Sequence, residues 1–431
     1  MKAVYILIGL VFVLLVGMAY YSKEEEQTPP PVSEGESIVA SPFAAKRKEE
    51  AFVVPNSNPH IQKLLIDFQD FVNEAIATGQ TPGAAVVIVK DTSIIYLKGF
   101  GVKQSGKNTE IDVNTVFRLG SVSKTFASVL TGTLVDAHVF SWDDPVVKYL
   151  PDFHLKSETS SHDLTLRHVL SHTIGLPYHA FTNLVEEHIP LDTLIDHLYE
   201  VDLVGDPGEV YSYQNVGYSL ISPIIKSATG KTFEQELKEK IFEPLHMKNA
   251  SATYKEIKEN NNVAMPHRQT KKGWVQMPIS DTYYNVTPAG GVNASISDMG
   301  LWLKALCGGR QDVLSQELLK EVFKPQVRAI SKNRNMWLWK RPSASYYALG
   351  WRVITFKDDT LLYHGGYVNG YRSEVAINPN SKLAICVLTN APSKLADRSV
   401  PQFLDYYSHH MDSIIAWEKK NKLLLPTGFA L

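Results

Sequence analysis

Apolar and polar residues alternate in patterns that predict where the folded part of the chain begins. Asn58 and Pro59 form a helix start. A helical stripe of apolar residues follows at Ile61, Leu64, Leu65, Phe68, Phe71, Val72 and Ile76. Residues 83–89 and 93–97 are rich in β-branched side chains and are separated by a short turn. They predict a β-hairpin directly after the first helix.

The rest of the chain has a helical middle and a strand-rich end. Helical patterns with polar loops extend from Lys124 to about Arg310. Strand patterns then return in four runs, at residues 349–354, 360–363, 374–377 and 383–388. A last amphipathic helix is predicted from roughly Pro401 to Lys419. This order predicts an α+β fold of the α/β/α sandwich type. Its antiparallel sheet is built from both chain ends and flanked by helices, with an inserted, mostly helical lobe.

The first 58 residues differ in composition from the rest. Ala3 to Tyr21 form an uncharged apolar run of the length that crosses a bilayer, so residues 1–22 are expected to be a membrane anchor or a signal peptide. The length of the run favours an uncleaved anchor, although Gly17-Met18-Ala19 would suit cleavage. Residues 23–58 are rich in proline and charge and predict a linker before a folded domain over 59–425. We therefore expect export, with one N-terminal span and the domain outside the cytoplasm, or a secreted or periplasmic form after cleavage.

Composition narrows the classes of partner and cofactor. The chain has 431 residues, 44% hydrophobic content and a formal net charge of -2, which allow a large core and argue against a nucleic-acid partner. The cysteines, Cys307 and Cys386, are far apart in sequence and are expected to be free thiols. No repeat is visible, and the oligomeric state stays open.

Other motif-like features do not support a metal or a cofactor. His168 and His172 have a spacing that would suit zinc on a helix, but Val169 stands where a zinc protease has glutamate. Residues 228–232 end like a phosphate-binding loop but lack its first glycine. The Gly-x-Ser-x-Gly esterase elbow is absent around Ser121. We therefore expect no metal site and no cofactor.

The first candidate for chemistry is Ser121-Val122-Ser123-Lys124. If a helix starts at Ser121, residues three apart share one face, so Ser121 and Lys124 lie side by side. Lys124 can then take the proton of Ser121, provided that burial or a cationic neighbour lowers the pKa of the amine. Alone, this pattern is weak, because Ser-x-x-Lys arises by chance about once per few hundred residues.

The second candidate is Tyr213-Gln214-Asn215, whose first and third side chains point the same way in an extended segment. A phenol beside a cationic lysine loses its proton more easily, so Tyr213 can act as a general base and return the proton to a leaving group. The carboxamide of Asn215 can bind a peptide-like carbonyl.

The third candidate is His364-Gly365-Gly366, which we expect at the end of the strand over 361–363. Glycines there let a substrate backbone approach closely. His364 can donate a hydrogen bond to substrate. The backbone N–H of Tyr367 can pair with that of Ser121 as an oxyanion hole.

Together, these three motifs in this order resemble those of the serine β-lactamase and penicillin-binding protein superfamily, in particular its class C-like branch. The similarity covers about residues 60–400. It implies that Ser121 is the acylated nucleophile, Lys124 its activating partner, Tyr213 a proton shuttle and Asn215 a ligand of the substrate amide. Further family-like stretches, expected to be structural, lie at residues 170–177, 206–208, 241–247 and 288–292.

One departure from the class C pattern bears on the substrate. His364 and Gly365 stand where class C β-lactamases have lysine and threonine. An unperturbed histidine is mostly neutral at pH 7, whereas lysine is a permanent cation suited to a substrate carboxylate. The histidine is similar to what is found in relatives that act on D-amino-acid peptides or amides. This favours peptidase or esterase action over efficient β-lactam hydrolysis.

The resemblance thus implies an exported serine hydrolase that forms an acyl-enzyme on Ser121, with a D-amino-acid peptide, a β-lactam or a small ester as its acyl substrate. Two alternatives remain open. One is a penicillin-binding envelope sensor or scaffold without turnover, and the other is a lipolytic esterase on the same fold. Segment 180–200 is expected to form either a lid over the site or a helix of the inserted lobe.

Overall fold

The computed structural model describes residues 58–329, 342–357 and 359–422. The predicted anchor or signal peptide and the predicted linker lie outside these residues. Within them, no helix combines the length and the apolar character that a bilayer span requires.

The amino-terminal prediction is confirmed. Helix α1 spans Pro59–Ala77, and the side chain of Asn58 accepts the N–H of His60 as its cap. Strands β1 (Gly83–Lys90) and β2 (Ser93–Gly101) form the expected hairpin.

The described residues contain ten further strands. They are β3 (Val116–Arg118), β4 (His267–Thr270), β5 (Gly273–Gln276), β6 (Asn293–Ser295), β7 (Val327–Arg328), β8 (Ala344–Tyr347), β9 (Arg352–Thr355), β10 (Thr360–Val368), β11 (Tyr371–Asn378) and β12 (Leu383–Thr389). Eight strands form one antiparallel sheet in the order β2-β1-β12-β11-β10-β9-β8-β7. The amino-terminal hairpin therefore pairs with the last strand, and the predicted sheet from both chain ends is confirmed. Two small sheets join β3 with β6 and β4 with β5.

The region between β3 and β7 is mostly helical, as predicted. Its α-helices are α2 (Ser123–Asp136), α3 (Glu158–Asp163), α4 (Leu166–Leu170), α5 (Thr182–Glu186), α6 (Leu191–Asp196), α7 (Val216–Ser219), α8 (Ile221–Thr229), α9 (Phe233–Leu237), α10 (Tyr254–Glu259), α11 (Thr287–Gly290), α12 (Ile296–Lys304) and α13 (Gln316–Phe323). Short 3₁₀ turns lie at Gly120–Val122, Val146–Lys148 and Leu198–Glu200, and π-helical turns at Lys238–Phe242 and Ala305–Gly309. The last helix, α14, spans Lys394–Lys422.

Strand β1 shows why this is a three-layer fold. Its residues from Gly83 to Val89 are all buried, as expected for a strand that is covered on both faces. Val86 and Ile88 pack into the apolar cluster that includes α1 and α14. Val87 and Val89, which point to the other face, pack into the cluster that includes α12 and the helical lobe. The sheet is thus enclosed between two helical layers.

Three predicted boundaries were wrong. The strand predicted over 349–354 begins only at Arg352, because the chain turns at Gly350, where φ is +74°. The last helix begins at Lys394 instead of Pro401, since Ser393 Oγ accepts the N–H of Ala396 and caps the helix about two turns earlier.

The third correction affects the site. His364-Gly365-Gly366 does not end a strand but lies inside β10, which continues to Val368. Gly365 and Gly366 lie opposite Glu374 and Ser373 of β11 in the sheet register, so this segment is held as rigid sheet.

Candidate active site

Ser121 lies on the 3₁₀ turn Gly120–Val122, which continues directly into α2. Backbone N–H groups at the start of such a turn have no partner inside it, so they remain available to a ligand. Ser121 itself is half-buried, between the buried Gly120 and Val122. A hydroxyl group is thus presented at the start of a buried helix, close to where the sequence predicted it.

Lys124 is fully buried one turn later. Its Nζ donates hydrogen bonds to Asn215 Oδ1 at 2.9 Å and to the carbonyl oxygen of Ala289 at 2.9 Å. It also lies 4.6 Å from the centre of the Tyr213 ring. Burial, assisted by the positive charge of Arg352, holds the pKa of Lys124 well below its usual range. This environment therefore favours the neutral amine, which is a base.

Tyr213 and Asn215 precede α7 and face the same cavity as Ser121. Tyr213 and Ser121 line the same cavity, and Ser121 acts to lower the pKa of the phenol, but burial dominates and raises that pKa above its usual range. The phenol is therefore protonated at neutral pH. Of the two groups, the amine of Lys124 is thus the one whose environment favours a form that can accept a proton.

His364 is 1% exposed, and both of its ring nitrogens are engaged. Nδ1 lies 3.0 Å from the carbonyl oxygen of Gly365, which can only accept, so this nitrogen carries the proton. Nε2 therefore accepts from the Tyr347 hydroxyl at 3.1 Å. Burial, Arg352 and Lys124 all lower the pKa of His364 well below its ordinary value. This geometry leaves neither a free donor nor a positive charge on His364 at neutral pH, contrary to the role considered from the sequence.

The glycines of β10 let the strand approach the serine turn. A Cβ at Gly366 would lie 2.0 Å from the carbonyl oxygen of Leu119, and one at Gly120 would lie 2.9 Å from the backbone nitrogen of Tyr367. Ser373 Oγ fixes this approach by donating to the Leu119 carbonyl at 2.6 Å. The backbones of residues 120 and 367 are therefore in direct contact.

The register of the β10–β11 hairpin also sets the direction of the Tyr367 amide. Val368 and Tyr371 flank a two-residue turn and so form a hydrogen-bonded pair. The next pair, Tyr367 and Arg372, is then of the non-hydrogen-bonded type, and the Tyr367 N–H points away from β11. This direction suits an oxyanion hole shared with Ser121.

The surroundings of Gly365 explain why this position holds glycine and not the threonine of the class C pattern. A Cβ there would lie 2.7 Å from the Tyr363 hydroxyl and 3.0 Å from Glu374 Oε2. The Tyr363 hydroxyl donates to Glu374, which also pairs with Arg372. A larger residue would displace this buried network.

Sequence reasoning missed Arg352 because no motif marks it. Arg352 is the first residue of β9, and its half-buried side chain lines the same cavity as Ser121. Its guanidinium carbon lies 5.7 Å from the Tyr213 ring centre and 5.8 Å from that of Tyr347. The groups that dominate its electrostatic environment are phenols, and it forms no ion pair with a carboxylate of the described residues. Arg352 is thus a cation available to an anionic ligand.

The cavity that these residues share has a volume of about 280 Å³. Of the predicted site residues, all but the buried Lys124 line it: Ser121, Tyr213, Asn215, His364, Gly365, Gly366 and Tyr367. Residues that the sequence did not indicate complete the walls, among them Tyr178, His179, Tyr283 and Arg352. Tyr178 and Tyr367 are 58% and 60% exposed, so the entrance has an aromatic rim.

Segment 180–200 forms short helices of the inserted lobe. Val185 and Leu194 are buried in the lobe's core. Asn285 Nδ2 donates to the carbonyl oxygens of Val185 and Ile189, which fastens this segment to the cavity wall around Tyr283. Of the two possibilities left by the sequence, this packing supports a helical part of the lobe.

The remaining motif-like residues lie at helix ends, in turns and in the core. His172 lies beyond the end of α4, so it does not share a helix face with His168. In the described part of the chain, no three His, Cys, Asp or Glu residues cluster as metal ligands. Cys307 and Cys386 are free thiols. Gly230 ends α8 and Thr232 caps α9, so residues 228–232 form a helix-to-helix turn.

Comparison with known sequences gives a family match. A sequence model of the family described as Beta-lactamase matches residues 68–404. Unguisins hydrolase ungD' of Aspergillus campestris is 27% identical over 341 residues, which cover 75% of this chain and 61% of that protein. Protein flp of Staphylococcus aureus strain MRSA252 is 25% identical over 334 residues, covering 76% and 63%. The chain thus spans about three fifths of the length of these curated relatives.

Solved structures show the same fold. The octameric penicillin-binding protein homologue from Pyrococcus abyssi has a TM-score of 0.69 and 24% identity, over 79% of this chain and 77% of that chain. D-amino acid amidase from Ochrobactrum anthropi SV3 has a TM-score of 0.65 and 20% identity, over 80% and 99%. EstCE1, a hydrolase with promiscuous acyltransferase activity, has a TM-score of 0.65 and 18% identity, over 80% and 98%. These likenesses establish the β-lactamase/transpeptidase-like fold.

Proposed function

The chain belongs to the Beta-lactamase family, and on that premise we propose that it is a serine hydrolase that forms a covalent acyl-enzyme on Ser121 and releases it with water. The observation that carries this proposal is the environment of Lys124. A buried amine with a lowered pKa lies one helical turn from a half-buried serine, and the serine shares its cavity with the phenol of Tyr213. This arrangement is that of an activated nucleophile with its base.

In the proposed acylation step, Ser121 Oγ attacks the substrate carbonyl while its proton moves to the neutral amine of Lys124. The carbonyl oxygen gains negative charge, which the N–H groups of Ser121 and Tyr367 stabilise. When the bond to the leaving group breaks, the proton passes to that group with the Tyr213 hydroxyl as relay. Water then attacks the ester of Ser121, and the same groups move its proton to Ser121 Oγ as the acid leaves.

Asn215 has two tasks in this proposal. Its Oδ1 accepts a hydrogen bond from Lys124 Nζ at 2.9 Å. Its amide nitrogen can then donate to the acyl-side carbonyl of a substrate in the cavity that Asn215 lines. Asn215 thus couples the position of the substrate to that of the base.

For the substrate, we propose acyl compounds that carry a carboxylate close to the scissile bond, such as peptides of D-amino acids. Arg352 supports this class, because it is a cation without a carboxylate partner among the described residues and lies in the cavity with Ser121. It supplies the positive charge that neutral His364 does not. The names of two relatives, a D-amino acid amidase and an unguisins hydrolase, agree with peptide or amide substrates. Small esters are a second class of acyl substrate that the same acyl-enzyme chemistry accommodates.

A substrate panel tests this function. The panel contains a D-alanyl-D-alanine peptide, the same peptide with an amidated carboxyl terminus, a cephalosporin and a short-chain chromogenic ester. We expect hydrolysis of the free peptide to exceed that of its amide, and all hydrolysis to disappear in Ser121→Ala. Hydrolysis that survives in Ser121→Ala would contradict the proposal. An acyl-enzyme that forms but is not released would instead support the sensor or scaffold role.

For localisation, we propose that the apolar run from Ala3 to Tyr21 directs export and holds the hydrolase domain outside the cytoplasm. Fractionation of cells that produce the full chain tests this proposal. Recovery of the protein in the membrane fraction, accessible to protease from outside, is expected. Recovery in the cytoplasm would contradict it.

A further inference from the structure

From the contacts beneath the candidate site, we infer that His172 is the positioning residue for the phenol of Tyr213. This inference rests on the proposed function of the same site. His172 is fully buried, does not line the cavity and takes no part in the proposed proton transfers. It nevertheless contacts the segment that carries Tyr213 at several points.

The main chain on both sides of Tyr213 is bound to His172. The carbonyl oxygen of His172 accepts the N–H of Ser212 at 2.9 Å. Its side-chain Nδ1 accepts the N–H of Gln214 at 3.2 Å. One residue thus fixes the amides that precede and follow the tyrosine, which sets the direction in which the Tyr213 side chain leaves the backbone.

The imidazole ring of His172 also supports the phenol ring itself. The two ring centres are 4.3 Å apart. The same imidazole lies 4.8 Å from the ring of Tyr347 and 5.0 Å from that of Tyr218. A displacement of His172 would therefore reach the phenol that shares the cavity with Ser121.

Those two neighbours connect His172 to the rest of the site. Tyr347 is hydrogen-bonded to His364 Nε2. The Tyr218 hydroxyl donates to the main-chain carbonyl of Lys124 at 2.7 Å. His172 thus lies where the supports of the base, the relay and β10 meet.

The hydrogen bonds define the state in which His172 performs this task. Because Nδ1 accepts the N–H of Gln214, the proton of the neutral ring is on Nε2, which has no hydrogen-bond partner among the described residues. Burial and the cationic or titratable groups that face it, Lys124, His364, Arg352 and His179, oppose protonation. A neutral, fixed ring suits support and does not suit proton transfer.

The backbone conformation at position 172 limits which residues can replace the histidine. Its φ is +59°, in the left-handed region that residues other than glycine seldom adopt, with asparagine, aspartate and histidine as the commonest exceptions. This conformation directs the carbonyl oxygen to Ser212 and the side chain to Gln214. Asparagine tolerates the same backbone, and its side-chain oxygen can accept a hydrogen bond near the position of Nδ1.

This property permits a rescue experiment. His172→Phe keeps an aromatic ring but removes the acceptor, whereas His172→Asn keeps an acceptor and the backbone preference but removes the ring. The matched control is His168→Asn, because His168 Nδ1 also accepts a main-chain N–H, that of Thr165, and no ring contact joins it to Tyr213. Each variant is treated with a fluorophosphonate over a range of concentrations, which separates the maximal rate of labelling from the affinity for the reagent.

We expect His172→Phe to lower the maximal labelling rate about tenfold or more, with an affinity close to that of the wild type. His172→Asn should recover most of this rate, and His168→Asn should equal the wild type. The pH profile of His172→Asn should match the wild-type profile, because a neutral support does not titrate. Equal rates in His172→Phe and the wild type, or a limb of the profile that disappears in His172→Asn, would overturn the inference.

A second measurement needs neither activity nor a variant that folds. Nuclear magnetic resonance of the wild-type protein labelled with ¹⁵N-histidine reports the protonation of each ring nitrogen. His172 should show an unprotonated Nδ1 and a protonated Nε2 that do not change between pH 8 and pH 6. A protonated Nδ1 would overturn the inference even if Ser121 is acylated. If Ser121 is never acylated, the proposed function fails, while this measurement still decides how His172 is bound.

Discussion

Lys124 Nζ donates a hydrogen bond to Asn215 Oδ1 at 2.9 Å, across 91 positions of sequence. This bond joins two motifs, Ser-x-x-Lys and Tyr-x-Asn. The sequence gives their order along the chain but not their contact in the fold. With the Ala289 carbonyl as its second acceptor and no carboxylate of the described residues paired with it, the amine is held in place without a counter-charge. The environment therefore favours the unprotonated form, which has consequences for the pH dependence of the enzyme.

The first prediction concerns the acid limb of the pH profile. Acylation needs neutral Lys124, so kcat/KM should fall as the pH falls through the lowered pKa of this amine. Arg352 contributes to lowering that pKa. Arg352→Met should therefore raise the pKa of Lys124 and shift the acid limb to higher pH by about one unit. A neutral ester is the suitable substrate, because Arg352 then has no carboxylate to bind. The exposed Arg328 provides the control, Arg328→Met. An unchanged limb in Arg352→Met would contradict the account.

The second prediction concerns substrate selection by Arg352. Arg352→Gln should raise KM for a peptide with a free carboxyl terminus by about ten- to a hundredfold, which is the loss expected for hydrogen bonds to a charged group. KM for the same peptide with an amidated terminus should change much less. Kinetics on the two peptides give the comparison. Equal effects on both would show that Arg352 does not bind the carboxylate.

The third prediction concerns the approach of β10 to the serine turn. Gly366→Ala adds a Cβ that would lie 2.0 Å from the Leu119 carbonyl oxygen, so the strand and the turn must separate. Because the N–H groups of Ser121 and Tyr367 then no longer converge, kcat should fall by about a hundredfold or more. Ser373→Ala removes only the hydrogen bond to Leu119 and should cost less. Thermal unfolding of each variant checks that it is folded. A folded Gly366→Ala enzyme with the wild-type rate would contradict the oxyanion hole.

Most helices and strands could be predicted from the sequence, because the pattern of apolar residues within each segment depends on which of its faces are buried. The apolar stripe of α1 follows from burial of one helix face, and the β-branched run of β1 follows from burial of both sheet faces. Boundaries were less predictable. The turn at Gly350 depends on a close approach to α2, where a Cβ would lie 2.5 Å from the Lys124 carbonyl oxygen. No local pattern contains such a contact.

The site residues that could be predicted from the sequence are those that belong to a recognisable motif. Ser121, Tyr213 and Asn215 line one cavity, with Lys124 buried beside them, as the motifs indicated. The protonation states were not predictable, since burial sets them. Arg352 was missed because its place in the cavity, without an ion pair to a carboxylate of the described residues, is a property of the folded chain.

The fourth prediction concerns stability in acid. In the unfolded chain a histidine binds a proton near pH 6.5, whereas burial holds the pKa of His172 and His364 well below that value in the folded protein. The unfolded state then binds more protons below about pH 6.5. The free energy of unfolding should fall with pH there by up to about 1.4 kcal/mol per unit for each histidine.

Urea unfolding at pH 7, 6 and 5 measures this slope. His172→Asn should lose stability less steeply than the wild type as the pH falls. The exposed His162 supplies the control for removal of a histidine, as His162→Asn. Parallel slopes for His172→Asn and the wild type would contradict the neutral state assigned to His172.

The central claim is that Ser121 is the nucleophile, and the mass of the intact protein tests it most directly. Treatment with a fluorophosphonate or a reporter penicillin should add one adduct to the wild type, which peptide mapping places on Ser121. Ser121→Ala should gain no adduct. Ser123→Ala should be labelled like the wild type, because the buried Ser123 hydroxyl is used to accept the N–H of Val292 at 2.9 Å. An adduct on any other residue, or no adduct on the wild type with either reagent, would contradict the account.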